Sequence, residues 1–267
     1  MRYINIENII KNSNSNLLKS FPNFSIKIIG KIIRQDGMNE ILSEFKDIEG
    51  VPFLEKVIEK LNITIEIEGI ENLPNNRKSI FVANHPFGIL DGLILTSIVG
   101  EKYGDLRAIG NDAFKHVPQL KPLILNVSVF NKSSKEYYKE LNKAYDSNIP
   151  ITHFPAGFVS RIVYGRVRDK RWEKSFIKKA ISNKRNIVPI RFYGKNSNLF
   201  YTIFLLRKML FIKTNIELVL LPRELFNMQN KTIRVKIMKP ISYKSFDKSQ
   251  SHLEWAEKIR KLVYNNY

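Results

Sequence analysis

The 267-residue chain contains no cysteine and only four histidines. The first absence removes disulfides, thiolate zinc sites, iron–sulfur clusters and cysteine nucleophiles together, and it fits a reducing compartment. Acidic residues are scarce beside basic ones: 25 Asp+Glu stand against 44 Lys+Arg, a formal net charge of +19. No run approaches the roughly 18 uninterrupted apolar residues that a spanning helix needs. The most apolar stretch, Leu199 to Ile212, is broken by Arg207 and Lys208. Met1 to Lys11 carries Glu7 and lacks the apolar segment of a secretory signal. Phosphate-cradling glycine motifs are missing, and no histidines or carboxylates are spaced as metal ligands. The expectation is a cytoplasmic protein, soluble or peripheral on the inner face of the membrane, with no metal and no bound cofactor.

The charge favours an anionic partner such as nucleic acid, an acidic membrane face or a phosphate-bearing substrate. A richness in Ile, Lys and Asn offers a competing source, since an AT-rich genome produces the same composition. Residues 1–60 read as an N-terminal helical segment. Within it Phe24, Ile28, Ile29, Ile32 and Ile33 fall at helical spacing, with Lys27, Lys31 and Arg34 on the other side. That pattern suits a membrane surface or the covering of a core.

From residue 61 to 267 the texture changes to β-rich runs alternating with helical stretches. Strands are expected at Ile63–Glu68, Ser79–Ala83, Leu106–Ile109, Ile124–Phe130, Ile149–Phe154, Ile187–Phe192, Ile216–Leu221 and Ile233–Ile237. Helices are expected at Gly92–Tyr103, Lys135–Tyr145, Trp172–Ser182 and Asn198–Phe211. The fold class is therefore α/β, a mixed, mostly parallel sheet flanked by helices. Active residues of such sheets collect at the carboxyl edge, so the segments behind the strands carry the argument.

Behind Ser79–Ala83 comes Asn84-His85-Pro86-Phe87-Gly88-Ile89-Leu90-Asp91. A histidine ending a strand and an aspartate opening the next helix can meet across the turn. Such a pair suits general base catalysis, because imidazole titrates near neutrality and a carboxylate fixes its tautomer. The competing reading makes Asp91 a helix cap and His85 an ordinary turn residue. Behind Ile149–Phe154 comes Pro155-Ala156-Gly157-Phe158-Val159-Ser160-Arg161. Gly157 permits close backbone approach, and Arg161 offers a planar guanidinium to phosphate or carboxylate. The competing reading is a Pro-Gly turn with a solvated arginine. Two further polar turns contain Gly110-Asn111-Asp112 and Gly194-Lys195-Asn196-Ser197. His153 is expected to pack in the sheet, while His116 and His252 receive no role.

These blocks, in this order, resemble the lysophospholipid (PlsC-like) acyltransferase superfamily. The matching residues are Asn84-His85…Asp91, Asn111-Asp112…Pro118, Phe154-Pro155-Ala156-Gly157…Ser160-Arg161 and Val188-Pro189. Three departures stand out: five residues rather than four separate His85 from Asp91, Ala156 replaces a glutamate, and Val159 replaces an arginine. Together with Asp169…Trp172 and Asn196-Ser197…Phe200-Tyr201 they are similar to a bacterial hemolysin-labelled subgroup that includes lyso-aminolipid O-acyltransferases.

The resemblance implies that His85 deprotonates an acceptor hydroxyl and that Asp91 orients it. Backbone N–H groups near Gly157 would hold the oxyanion, each such donor contributing about 3 kcal/mol. Arg161 would bind the anionic head. Asn84, Asn111, Asp112, Phe154, Pro155, Gly157, Ser160, Asn196 and Ser197 would complete the substrate site. The implied partners are acyl-CoA or acyl carrier protein as co-substrate, a lyso-lipid acceptor and an anionic membrane surface, with no specific nucleic acid. Two alternatives are a 1-acylglycerol-3-phosphate acyltransferase and a non-catalytic basic lipid- or nucleic-acid-binding protein.

Overall fold

The computed structural model describes residues 3–11, 22–111, 117–127 and 135–265. Seven of its strands form one sheet: β1 (Thr64–Glu68), β2 (Ser79–Ala83), β3 (Arg107–Asn111), β4 (Ile124–Val127), β5 (Ile151–His153), β8 (Asn186–Tyr193) and β9 (Thr232–Ile237). Their order across the sheet is β1-β9-β8-β2-β5-β3-β4. A separate antiparallel hairpin is built from β6 (Arg161–Val163) and β7 (Arg166–Arg168). All pairings in the large sheet are parallel except β8 with β9, so that sheet is mixed and mostly parallel.

Every residue of β2 is buried, and its Ser-Ile-Phe-Val-Ala sequence is the near-continuous apolar run that a strand covered on both faces requires. One face is covered by the helix Ile89–Tyr103 and by the N-terminal helices Gln35–Glu44 and Val51–Lys60. Met38, Leu42, Phe53, Leu54 and Val57 share a single core cluster with Phe81, Val188 and Val235 of the sheet. The other face is covered by Lys135–Asp146, Ser175–Ser182 and His252–Asn265, through Tyr145, Phe176, Ile259 and Val263, with Trp172 of the preceding loop beside Phe176.

β2 lies in parallel register with both β5 and β8, pairing Val82 with His153 and Ala83 with Ile190. The segments behind all three strands therefore emerge side by side at one carboxyl edge, where ligands of open α/β sheets bind.

Two expectations need correction. Ile216–Leu221 is not a strand: Ile216–Leu220 forms a 3-10 turn that runs into the helix Leu221–Phe226. Its alternating apolar residues mimic strand periodicity, but Glu217 between them is fully buried. Gly110-Asn111 is not a turn either, because β3 continues through Asn111. The Ile124–Phe130 expectation is met as far as Val127, and residues 128–130 lie outside the described residues.

Candidate active site

The end of β2 and the start of the helix Ile89–Tyr103 bring His85 to Asp91. His85 Nδ1 lies 3.0 Å from Asp91 Oδ2. The same oxygen accepts the backbone N–H of Phe87 at 2.8 Å and of Gly88 at 2.9 Å. The turn thus wraps around the carboxylate, and the five-residue gap closes into a hydrogen-bonded pair. Asp91 is wholly buried, whereas the His85 side chain is 18% exposed. Burial pushes the Asp91 carboxyl above its usual range, and the bonds from His85, Phe87 and Gly88 pull it back. With Asp91 ionised it can only accept, so Nδ1 carries the hydrogen and Nε2 presents a lone pair. The imidazole also stacks on Phe154, with ring centroids 4.1 Å apart.

A second buried carboxylate fixes the backbone around His85. Asp169 Oδ1 accepts from His85 N–H at 3.2 Å and from Ser160 Oγ at 2.6 Å, and Oδ2 accepts from Trp172 Nε1 at 2.8 Å. Ser160 N–H in turn donates to the His85 carbonyl at 2.7 Å. The last helix adds Tyr264, whose hydroxyl accepts the Asp169 N–H at 2.7 Å. Burial raises both the Asp169 carboxyl and the Tyr264 phenol above their usual ranges. Sequence reading missed Tyr264 because it lies 95 residues from its partner, and no local pattern marks such a contact.

Several expected ligand contacts are instead internal. Asn84 Oδ1 accepts the Phe192 N–H at 2.7 Å while its Nδ2 donates to the Phe192 carbonyl at 2.9 Å. Both ends of its amide are engaged in tying β2 to β8. Ser160 serves Asp169 rather than a ligand. Pro155 is buried, and Phe154 forms the stacking wall under His85. Gly157 sits at φ +68°, a turn conformation that favours glycine, and its N–H donates to the Phe154 carbonyl at 3.0 Å. That N–H is therefore engaged within the turn. Asn111 ends β3, and Asp112 lies outside the described residues.

Arg161 is the largest correction. It is only 3% exposed, and its guanidinium lies 3.0 Å from Glu217 Oε1 while donating to the Val159 carbonyl at 2.6 Å. Arg207 closes the other side, with Nε 2.8 Å from Glu217 Oε2. The rings of Phe200 and Phe204 stack over Arg161. The cluster is a closed Arg–Glu–Arg set, and Arg161 has no free face for an anionic head.

The fourth turn reaches the same edge. Gly194 abuts Phe87 of the His85 turn so closely that an added Cβ would lie 2.1 Å from its ring. Ser197 caps the helix Asn198–Met209 and donates from Oγ to Glu224 at 2.7 Å. The Asn196 N–H donates to the Tyr201 hydroxyl at 3.2 Å. Burial pushes that phenol up to about 12, and the Asp91 charge adds to the rise. The Asn196 side chain is 2% exposed, yet neither its Oδ1 nor its Nδ2 has a partner among the described residues.

The sequence profile of a family described as acyltransferase matches residues 8–266. Two curated relatives carry the name lyso-glycine lipid O-acyltransferase. One, from Bacteroides thetaiotaomicron, is 37% identical over 98% of this chain and 96% of its own. The other, from Phocaeicola vulgatus, is 37% identical over 98% of this chain and 94% of its own. The crystal structure of the 1-acyl-sn-glycerophosphate acyltransferase PlsC from Thermotoga maritima aligns with a TM-score of 0.49 and 17% identity, covering 91% of this chain and 93% of that one.

Proposed function

The chain belongs to this acyltransferase family, and on that premise we propose that it carries a fatty acyl group from acyl-CoA or acyl carrier protein to the hydroxyl of a monoacylated aminolipid. His85 Nε2 takes the hydroxyl proton as the acceptor oxygen attacks the thioester carbonyl carbon. Asp91 holds Nδ1–H and stabilises the imidazolium that forms. The tetrahedral centre then collapses, the C–S bond breaks, and His85 returns the proton to the departing thiolate. An ester remains. No protein nucleophile is required, in keeping with a chain that has no cysteine.

The observation that supports this most is the 3.0 Å His85–Asp91 pair, with its carboxylate buried and its imidazole reaching the surface. The names of the two relatives support an aminolipid acceptor. So do Ala156 and Val159, which stand where the resemblance expects residues associated with a glycerol-phosphate acceptor. A side-by-side assay with lyso-glycine lipid and lysophosphatidic acid tests the choice. Faster turnover of the lyso-glycine lipid is expected, and preference for lysophosphatidic acid would overturn it.

The acceptor partitions into bilayers, and two surfaces support docking on anionic lipid. On the helix Asn198–Met209 and the residues after it, Phe200 and Phe204 face inward while Leu206, Met209, Leu210 and Phe211 are exposed, Phe211 at 90%. Lys208 and Lys213 are exposed beside them. On Asn23–Ile32, Phe24, Ile28 and Ile32 are exposed together with Lys27 and Lys31. Among the described residues no helix is long and apolar enough to cross a membrane. Apolar insertion plus basic charge should give binding that prefers anionic vesicles and weakens with salt. Vesicle sedimentation at low and high salt checks this, and equal binding to neutral vesicles would count against it.

A further inference from the structure

Two asparagines stand at the carboxyl edge of the sheet, and they differ in one respect. The Asn84 amide grips both the N–H and the C=O of a single residue, Phe192, at 2.7 and 2.9 Å. The Asn196 amide is equally buried, at 2% exposure, and grips nothing among the described residues. Buried side-chain amides without partners are rare, because each bare donor or acceptor has lost its water without replacement. Such a group points to a ligand when it lies beside a reaction site. Asn196 does: it follows β8, whose neighbour Gly194 packs against Phe87 of the His85 turn, and its backbone N–H holds the Tyr201 hydroxyl.

We propose that Asn196 reads the head group of the acceptor, with Oδ1 accepting an amide N–H and Nδ2 donating to a carboxylate. The inference rests on the aminolipid reading above and deepens it. A glycine acylated on nitrogen carries its N–H and its carboxylate on either side of one methylene carbon. That is the spacing of the N–H and C=O of one peptide residue, the pair that Asn84 already grips in Phe192. A glycerol phosphate head has no N–H to offer Oδ1. The same amide would therefore favour an N-acyl amino acid and disfavour a phosphate ester, since a site built to hydrogen-bond a group rejects analogues that leave it unpaired. Arg161, closed off by Glu217, cannot make this distinction.

The test compares two acceptors that differ in one atom: lyso-glycine lipid, and its ester analogue in which oxygen replaces the amide N–H. Wild-type enzyme should prefer the amide by about ten- to a hundredfold in kcat/KM, the scale of one buried acceptor left unpaired. Asn196→Ala should lower the rate on both acceptors, because both carry the carboxylate, but by about tenfold more on the amide, collapsing the preference. Asn196→Asp, nearly identical in shape, guards against a folding defect. It keeps an oxygen for the amide N–H but sets a negative charge against the carboxylate that both acceptors carry, so it should lose rate on both while keeping the amide preference. An unchanged amide-to-ester ratio in Asn196→Ala, or a collapsed ratio in Asn196→Asp, would overturn the role of Asn196 while leaving the aminolipid reading intact. Wild-type preference for lysophosphatidic acid over both would overturn that reading and this one together.

Discussion

The His85 turn and the Arg161 loop both bury ionised groups, but they complete them differently. Around His85, Asp91 Oδ2 and both oxygens of Asp169 take hydrogen bonds from the protein, and the imidazole is left reaching outward. Around Arg161, one glutamate lies between two arginines, and all three side chains are buried. The first arrangement keeps a group available for proton transfer. The second keeps none available, and it holds the β6–β7 hairpin, the helix Asn198–Met209 and the 3-10 turn Ile216–Leu220 together. Buried charge therefore marks a working site only when one polar atom of the set remains open.

The comparison breaks most sharply under substitution of His85. His85→Ala should cut acyl transfer by about 10²–10⁴-fold, the usual cost of losing a general base, with little change in the thermal midpoint. Retention of a tenth of the wild-type rate would remove His85 from the mechanism. The Arg161 cluster should respond in the opposite sense. Glu217→Gln leaves two buried arginines without their shared counter-charge and should cost about 3–5 kcal/mol of stability. Denaturant midpoints measure it, and the folded fraction should keep its KM for the acceptor. A raised KM with unchanged stability would restore Arg161 as a ligand-binding residue.

A smaller effect concerns pH. Burial lowers the His153 imidazole to about 4, against about 6.5 in an unfolded chain. Between those values the unfolded state takes up a proton that the folded state refuses, so stability falls as pH drops from about 6.5 toward 4 and is fully present above that window. Part of the residue reaches the surface although its Nδ1 is enclosed, which screens the effect and keeps it below about 3 kcal/mol. His153→Gln should remove this share of the acid sensitivity, as read from urea midpoints at pH 7 and pH 4.5. An identical acid loss in the variant would show that His153 is not its source.

Much of the architecture was legible in local pattern. β2 matches its expected bounds residue for residue, because a nearly continuous apolar run between polar turns admits little else. The His85…Asp91 pair was legible too, since its partners are neighbours in sequence. The failures share a cause. Arg161 reads as a free cation until Glu217, 56 residues away, folds against it. Ile216–Leu220 reads as a strand because period-two alternation ignores what its polar member pairs with. Asn84 and Asn196 read alike as polar turn residues.

Composition and short-range pattern were enough for the order of most strands and helices, the absence of thiol chemistry, the basic charge and the His–Asp pair. Those depend on residue counts and on contacts within a few residues. Long-range packing chose which polar side chains the protein engages and which it leaves open. A hydrogen-bonding group is satisfied by whatever the fold brings to within about 3 Å of it, and that partner can come from anywhere in the chain. Asn84 meets Phe192 across 108 residues, and the Asn196 amide meets no partner among the described residues.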